Sequence, residues 1–240
     1  MNFAPGASPD QALIQSIINA ELIFQRRLSS AEAQPPVIAL ARDYGSGGDV
    51  IARRLAERLQ VDIFDRQILE HISKDTFIST GKLSELEDKS SADKVISWLH
   101  DLFSVNTTYP SYYRHHLVNV ILRICQQGGI ILGRGAHVIL TAHPAFRVRI
   151  VGSLDYCIDR VAMDEQLDER SAQEKIEKIN AERVNYLRNL FGRQMHEAHF
   201  FDLVINTDNF SNLDGVADII LMAMKETGLN VNSAPGSLSR

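Results

Sequence analysis

Apolar and polar positions fall along this chain in blocks that read alternately as strand and helix. Val37-Ile38-Ala39-Leu40-Ala41 follows Pro35-Pro36 as a short apolar run, the length of a buried strand rather than a helix. Beyond it Ile51, Leu55 and Leu59 recur at spacing four and predict one apolar stripe on a helix. Residues 61–65 predict a second strand and 66–74 a short helix. Residues 117–125 read as a core helix stopped at Gly128-Gly129, and Ile130-Ile131-Leu132 as a third strand. Residues 146–151, where Arg147 and Arg149 alternate with Phe146, Val148 and Ile150, predict a fourth strand. A helix then starts at Ser153 and Asp155, a charged turn covers 164–170, and a long charged helix runs over 172–191. Residues 201–208 predict a fifth strand ending in polar residues, and 213–225 a closing helix. Strands alternating with helices predict an α/β fold: a five-stranded parallel sheet, helices on both faces, right-handed crossovers.

Two stretches stand outside this alternation. Ser8-Pro9-Asp10-Gln11 opens a helix with a capping serine, a first-turn proline and a capping-box glutamine, and the apolar face continues to about residue 29. That helix packs on the domain or serves a homodimer contact. Residues 76–113 are rich in serine, threonine and mixed charge, with one helical segment over 92–103. Such an insertion reads as a flap beside a substrate. Tyr109, Tyr112, Tyr113, Arg114, His115 and His116 cluster at its exit, as packing residues or as a surface for a base.

Composition narrows the classes. With 45% hydrophobic residues in 240, a sizeable core is affordable to a soluble globular protein. A net charge of −5 argues against a broad nucleic-acid-binding surface and leaves room for a local basic site. Cys125 and Cys157 lack metal spacing and read as reduced core thiols, as in a cytoplasmic protein. No apolar run is long enough to span a membrane, and the N-terminus lacks the order of a signal peptide. His196-Glu197-Ala198-His199 has its histidines three apart, where a zinc-protease helix needs four, so it predicts no metal site.

The chemistry concentrates in two glycine motifs. Between the first strand and its helix lies Asp43-Tyr44-Gly45-Ser46-Gly47-Gly48. A strand, a glycine-rich turn and a helix aim backbone N–H groups and a helix N-terminus at an anion, and glycine lets a phosphate approach the backbone. The usual phosphate loop is G-x-x-x-x-G-K-[ST]. Registering Gly47 on its second glycine puts Arg42 at the first, Gly48 at the lysine and Asp49 at the hydroxyl. The second motif, Gly133-Arg134-Gly135, follows a buried strand and places a guanidinium, the preferred fork for phosphate oxygens, at the ligand edge. Asp65 ends the second strand at that same edge.

Ala41-Arg42-Asp43-Tyr44-Gly45-Ser46-Gly47-Gly48, Phe64-Asp65-Arg66, Gly133-Arg134-Gly135, the stretch from Glu182-Arg183 through Tyr186 to Phe191-Gly192, and Phe201-Asp202-Leu203-Val204-Ile205-Asn206-Thr207 together resemble the cytidylate kinase-like family of P-loop nucleoside-monophosphate kinases. The resemblance spans about 36–225. It implies a kinase-like domain over 35–228 with an acceptor-side insertion at about 76–113 and a lid at about 160–195. The helical extension and linker over 1–34 lie outside it, and the Ser/Asn/Gly-rich composition near the C-terminus predicts a disordered tail over 229–240. The resemblance implies transfer of the γ-phosphoryl of ATP to CMP, dCMP or a similar small acceptor. Gly45, Ser46, Gly47, Gly48, Asp49 and Arg160 would serve the donor, and Asp65, Arg66 and Arg134 the acceptor. Arg183 and Arg188 would close over the transferring group, and Arg42 would do part of the missing lysine's work. Magnesium is expected with ATP, its ligand open among Asp43, Asp49 and Asp65. Two departures from the resemblance stand out: classical cytidylate kinases carry Gly-Arg-Asp where this chain has Gly-Arg-Gly135, and Asn180 stands where the family often has an acidic residue. They leave two alternatives, a nucleotide-binding regulatory module without turnover and a kinase for another small molecule.

Overall fold

A computed structural model describes residues 17–18, 35–65, 111–192 and 197–231. The helices expected over 66–74 and 92–103, most of those expected over 8–29 and 76–113, and Arg66, Arg193 and His196 lie outside the described residues.

Five strands form one parallel sheet in the order β2-β3-β1-β4-β5: β1 (Val37–Arg42), β2 (Ile63–Phe64), β3 (Gly129–Leu132), β4 (Phe146–Val151) and β5 (Leu203–Asn206). The most apolar strand takes the centre, with Val37 opposite Gly129 on one side and Ile38 opposite Phe146 on the other. Parallel strands require crossovers, and helices supply them: α1 (Gly48–Leu59), α2 (Ser111–Gln127), α3 (Ala136–Ile139), α4 (Leu154–Glu165), α5 (Glu169–Phe191) and α6 (Leu213–Glu226).

Strand alternation divides the core between two faces. Ile38, Leu40, Ile130, Phe146, Val148 and Ile150 point to the face covered by α1 and α6, where Ile51, Leu55, Leu59, Val216 and Ile220 meet them. Full burial of each such side chain contributes about 1.5–3 kcal/mol, so the predicted stripe on α1 is a main source of stability. Val37, Ala39 and Ile131 point the other way, against α2, α3 and the end of α5. Ile17, from the N-terminal extension, is buried in that second cluster.

Three boundaries differ from those expected. Helix α2 begins at Ser111, so Tyr113, Arg114, His115 and His116 belong to its first turns, and the last three are buried. Buried polar residues hide a helix from a reading that looks for apolar stripes. Helix α5 begins at Glu169 because Asp168 caps it, accepting from the Ser171 N–H at 3.0 Å. The short α3, unforeseen, starts where Gly135 turns left-handed. Cys125 and Cys157 are buried thiols, as expected.

His137 on α3 lies stacked on Phe201 with ring centroids 4.6 Å apart. Burial pushes its imidazole down from 6.5 to about 3, with Arg149 and Arg147 adding repulsion. The native state therefore binds fewer protons than the unfolded state between those values. Its neutral form stabilises fully above pH 6.5, and that contribution drains away as pH falls toward 3. Urea denaturation at pH 7 and pH 5 should show a loss of about 2 kcal/mol from this group, and His137→Phe, which keeps the stack, should remove most of that difference.

Candidate active site

The glycine loop leaves the C-terminal end of β1 and enters α1 through Gly47, whose φ of +80° puts it in the left-handed region. No side chain caps this helix. The N–H groups of Gly47, Gly48 and Asp49 have no hydrogen-bond acceptor among the described residues, so three donors are left together at a helix N-terminus. Ser46 turns inward instead. Its hydroxyl donates to the Asp43 carbonyl at 2.9 Å, and its own carbonyl accepts from Thr207 Oγ1 at 2.8 Å. The end of β5 thereby pins the loop. Beneath it lies Cys157: a Cβ on Gly45, where φ is +87°, would sit 2.8 Å from the Cys157 Cβ. Burial raises that thiol to about 11, so it remains protonated packing.

Arginines surround the loop. Arg42, the last residue of β1, runs across Gly48 so closely that a Cβ there would lie 2.5 Å from the Arg42 Cβ. The side chain of Arg42 thus occupies the room into which a loop lysine would project. Its Nη2 donates to Asp49 Oδ1 at 2.7 Å, while its buried Nε has no partner among the described residues. Arg183 on α5 donates from Nη1 to the Arg42 carbonyl at 2.8 Å. Burial, then the nearby Arg42, lowers Arg183 to about 10, which still leaves it cationic at neutral pH. Arg160 on α4 reaches Gly47, its Cζ 3.4 Å from where a Cβ would be. Arg188 is exposed on α5, roughly 140° around the helix from Arg183.

The second glycine motif abuts the first. Gly133, Arg134 and Gly135 have φ of +74°, +54° and +72°, and the Gly133 N–H donates to the Leu40 carbonyl at 3.0 Å. A Cβ on Gly133 would lie 3.2 Å from Arg42 Nη1. Gly135 has no room for a side chain: a Cβ there would come within 2.4 Å of Phe191 Cε2. Asp65 follows β2 at the same sheet edge.

The α4–α5 hairpin closes on the loop through Tyr44. The Tyr44 N–H donates to Asn180 Oδ1 at 2.9 Å, so Asn180 clamps the loop to α5. The Tyr44 hydroxyl donates to Glu165, which also pairs with Lys175. Arg149, buried on β4, holds Asp43 through Nη2 at 2.9 Å. Sequence reasoning assigned no role to Tyr44, Arg149 or Thr207. The signal for Arg149 was a charge within an apolar strand; Thr207 and Tyr44 carried none, because what they bond lies far along the chain.

Among the described residues no three His, Cys, Asp or Glu side chains cluster as a metal site. Asp43 is held by Arg149. Asp49 is half-exposed beside the free N–H groups, with Oδ2 unpartnered among the described residues.

A parallel sheet of this order, with an uncapped glycine loop after its central strand and arginines on three sides, is the five-stranded α/β fold of the P-loop type expected from the chain. The chain belongs to the cytidylate kinase-like family, whose model matches residues 37–209. A comparison with curated protein sequences finds no match. Among solved structures, an uncharacterized protein from Eubacterium ventriosum ATCC 27560 is similar at TM-score 0.63 and 22% identity, covering 80% of this chain and 99% of its own. Shikimate kinase from Acinetobacter baumannii, in complex with shikimate, gives TM-score 0.41 and 15% identity over 81% of this chain and 96% of its own. The corresponding figures for shikimate kinase from Bacteroides thetaiotaomicron are 0.41, 12%, 81% and 99%. The first of these likenesses concerns the fold alone.

Restoring the usual lysine should fail for steric reasons. Gly48→Lys is expected to cost about 1–3 kcal/mol by overpacking against Arg42, roughly 2–12 °C in Tm. Arg42→Gly in the same chain should recover most of that loss. Calorimetry that finds Gly48→Lys as stable as the parent would show that Arg42 does not fill this space.

Proposed function

We propose that this protein transfers the γ-phosphoryl group of ATP to CMP, dCMP or a similar small phosphorylated acceptor. The observation that carries the reading is the convergence of Arg42, Arg160 and Arg183 on three free N–H groups at the head of α1. Phosphoryl transfer demands in-line positioning and neutralisation of charge on the transferring oxygens, and little covalent chemistry from the protein. The loop N–H groups bind the donor phosphates, and the buried Nε of Arg42 offers a donor where a lysine would ordinarily reach. Arg183, carried by the hairpin, adds charge from the opposite side. Arg160 covers the donor at Gly47. Arg134 takes the acceptor phosphate, with Asp65 and Arg66 on the acceptor side.

Magnesium is held in such sites by one or two carboxylates together with substrate phosphates and water. Asp49, one half-exposed carboxylate with a free oxygen beside the loop, fits that requirement and would supply the protein ligand. The ion would neutralise phosphate charge there.

One observation favours a second reading. The Arg42–Asp49 pair satisfies both groups in part, as a regulatory module that binds nucleotide without turnover would have it. An ATP-consumption assay with magnesium across a panel of nucleoside monophosphates separates the two. Turnover with CMP or dCMP is expected, and calorimetric ATP binding without turnover on any acceptor establishes the module instead. Arg183→Ala should lower kcat by roughly 10²–10³-fold, with a much smaller loss for Arg188→Ala. Arg42→Ala with unchanged ATP affinity and turnover would remove Arg42 from the mechanism.

A further inference from the structure

Arg134 has an unusual setting. Its φ of +54° is uncommon for a residue with a Cβ, and the glycines on either side share the left-handed conformation. Such backbone outliers are retained where surrounding contacts determine them. Here one helix supplies several of those contacts. Phe191 and Leu187 of α5 fill the space beside Gly135, at 2.4 and 3.2 Å from where its Cβ would be. One turn earlier on α5, the ring of Tyr186 lies under the Arg134 guanidinium, with Cζ 4.5 Å from the ring centroid. The Tyr186 hydroxyl in turn meets the Tyr113 hydroxyl of α2 at 3.2 Å.

We propose that Tyr186, braced by Tyr113, is a positioning residue that presents the Arg134 guanidinium to the phosphate of the acceptor. The reading of Arg134 as the acceptor's phosphate ligand underlies this inference. An arginine side chain has several free torsions, and a glycine-flanked turn restrains none of them. An aromatic face orients a guanidinium without itself neutralising its charge. Burial raises the Tyr186 phenol well above its ordinary range, so no phenolate forms to cancel that charge. The same helix carries Arg183 to the Arg42 carbonyl. Through Tyr186 and Arg183, α5 sets the acceptor and donor arginines from one rigid element.

The test compares Tyr186→Leu, which removes the ring face, with Tyr186→Phe, which keeps it and loses only the hydroxyl. With CMP as the varied substrate, Tyr186→Leu is expected to lower kcat/KM by 10- to 100-fold, chiefly through KM for CMP, with KM for ATP shifted less than about twofold. Tyr186→Phe should recover most of that loss. A uniform fall in kcat with both KM values unchanged, or equal losses in the two variants, overturns the proposal. If the parent neither turns over nor binds CMP, the proposed function is what has failed. Nitrogen-15 relaxation of the Arg134 Nε–H then still decides the positioning role: it should report a guanidinium ordered in the parent and mobile in Tyr186→Leu. An Arg134 signal unchanged by that substitution overturns the inference whatever the assay shows.

Discussion

At the end of β1 the Arg42 side chain crosses Gly48 at a distance no other residue there would permit, and the site is assembled around that crossing. The crossing lies at the start of α1, where the first N–H groups have no acceptor among the described residues. It buries the Nε of Arg42 beside them. The backbone of the same arginine receives Arg183 from a helix about 140 residues away, so one residue ties the sheet, the loop and the hairpin together. A lysine on a flexible stem would reach the phosphates from within the loop. Here a planar guanidinium from the strand lies beside the loop instead, with its position determined by packing.

The hairpin has its own attachment to the loop. Tyr44 accepts help from three sides: Asn180 on its backbone, Glu165 on its hydroxyl, and the Arg183 cation over its ring at 5.7 Å. The individual contacts are modest, since exposed charge pairs and cation–aromatic contacts contribute about 1 kcal/mol or less each. Their geometry matters more than their strength. They hold α5 so that Arg183 and Tyr186 lie over different glycine motifs at once. In the same arrangement Asn180 accepts from the Tyr44 N–H, and Phe191 fills the space beside Gly135.

Much of this architecture was legible in the chain itself. The five strands, the stripe on α1 and the glycine loop follow from local periodicity and from glycine's access to left-handed backbone, both properties of short segments. The motif pattern also pointed to Arg134 and Arg183. Helix α2 was misjudged at its start because His115 and His116 are buried, and polar residues in a core carry no periodic signature. Asp49 read as a phosphate-side residue, and its pairing with Arg42 was invisible because spacing along the chain says nothing of side-chain direction.

What the sequence by itself determined was the order of elements and the places where backbone must bend, since those depend on neighbours within a few residues. Only the tertiary structure decided which arginines meet the loop, why lysine is excluded from position 48, and what holds Arg134. Those outcomes depend on groups from β1, α4 and α5 arriving within a few ångströms of one another. That proximity is produced by packing of the whole sheet and its covering helices, and no local segment encodes it.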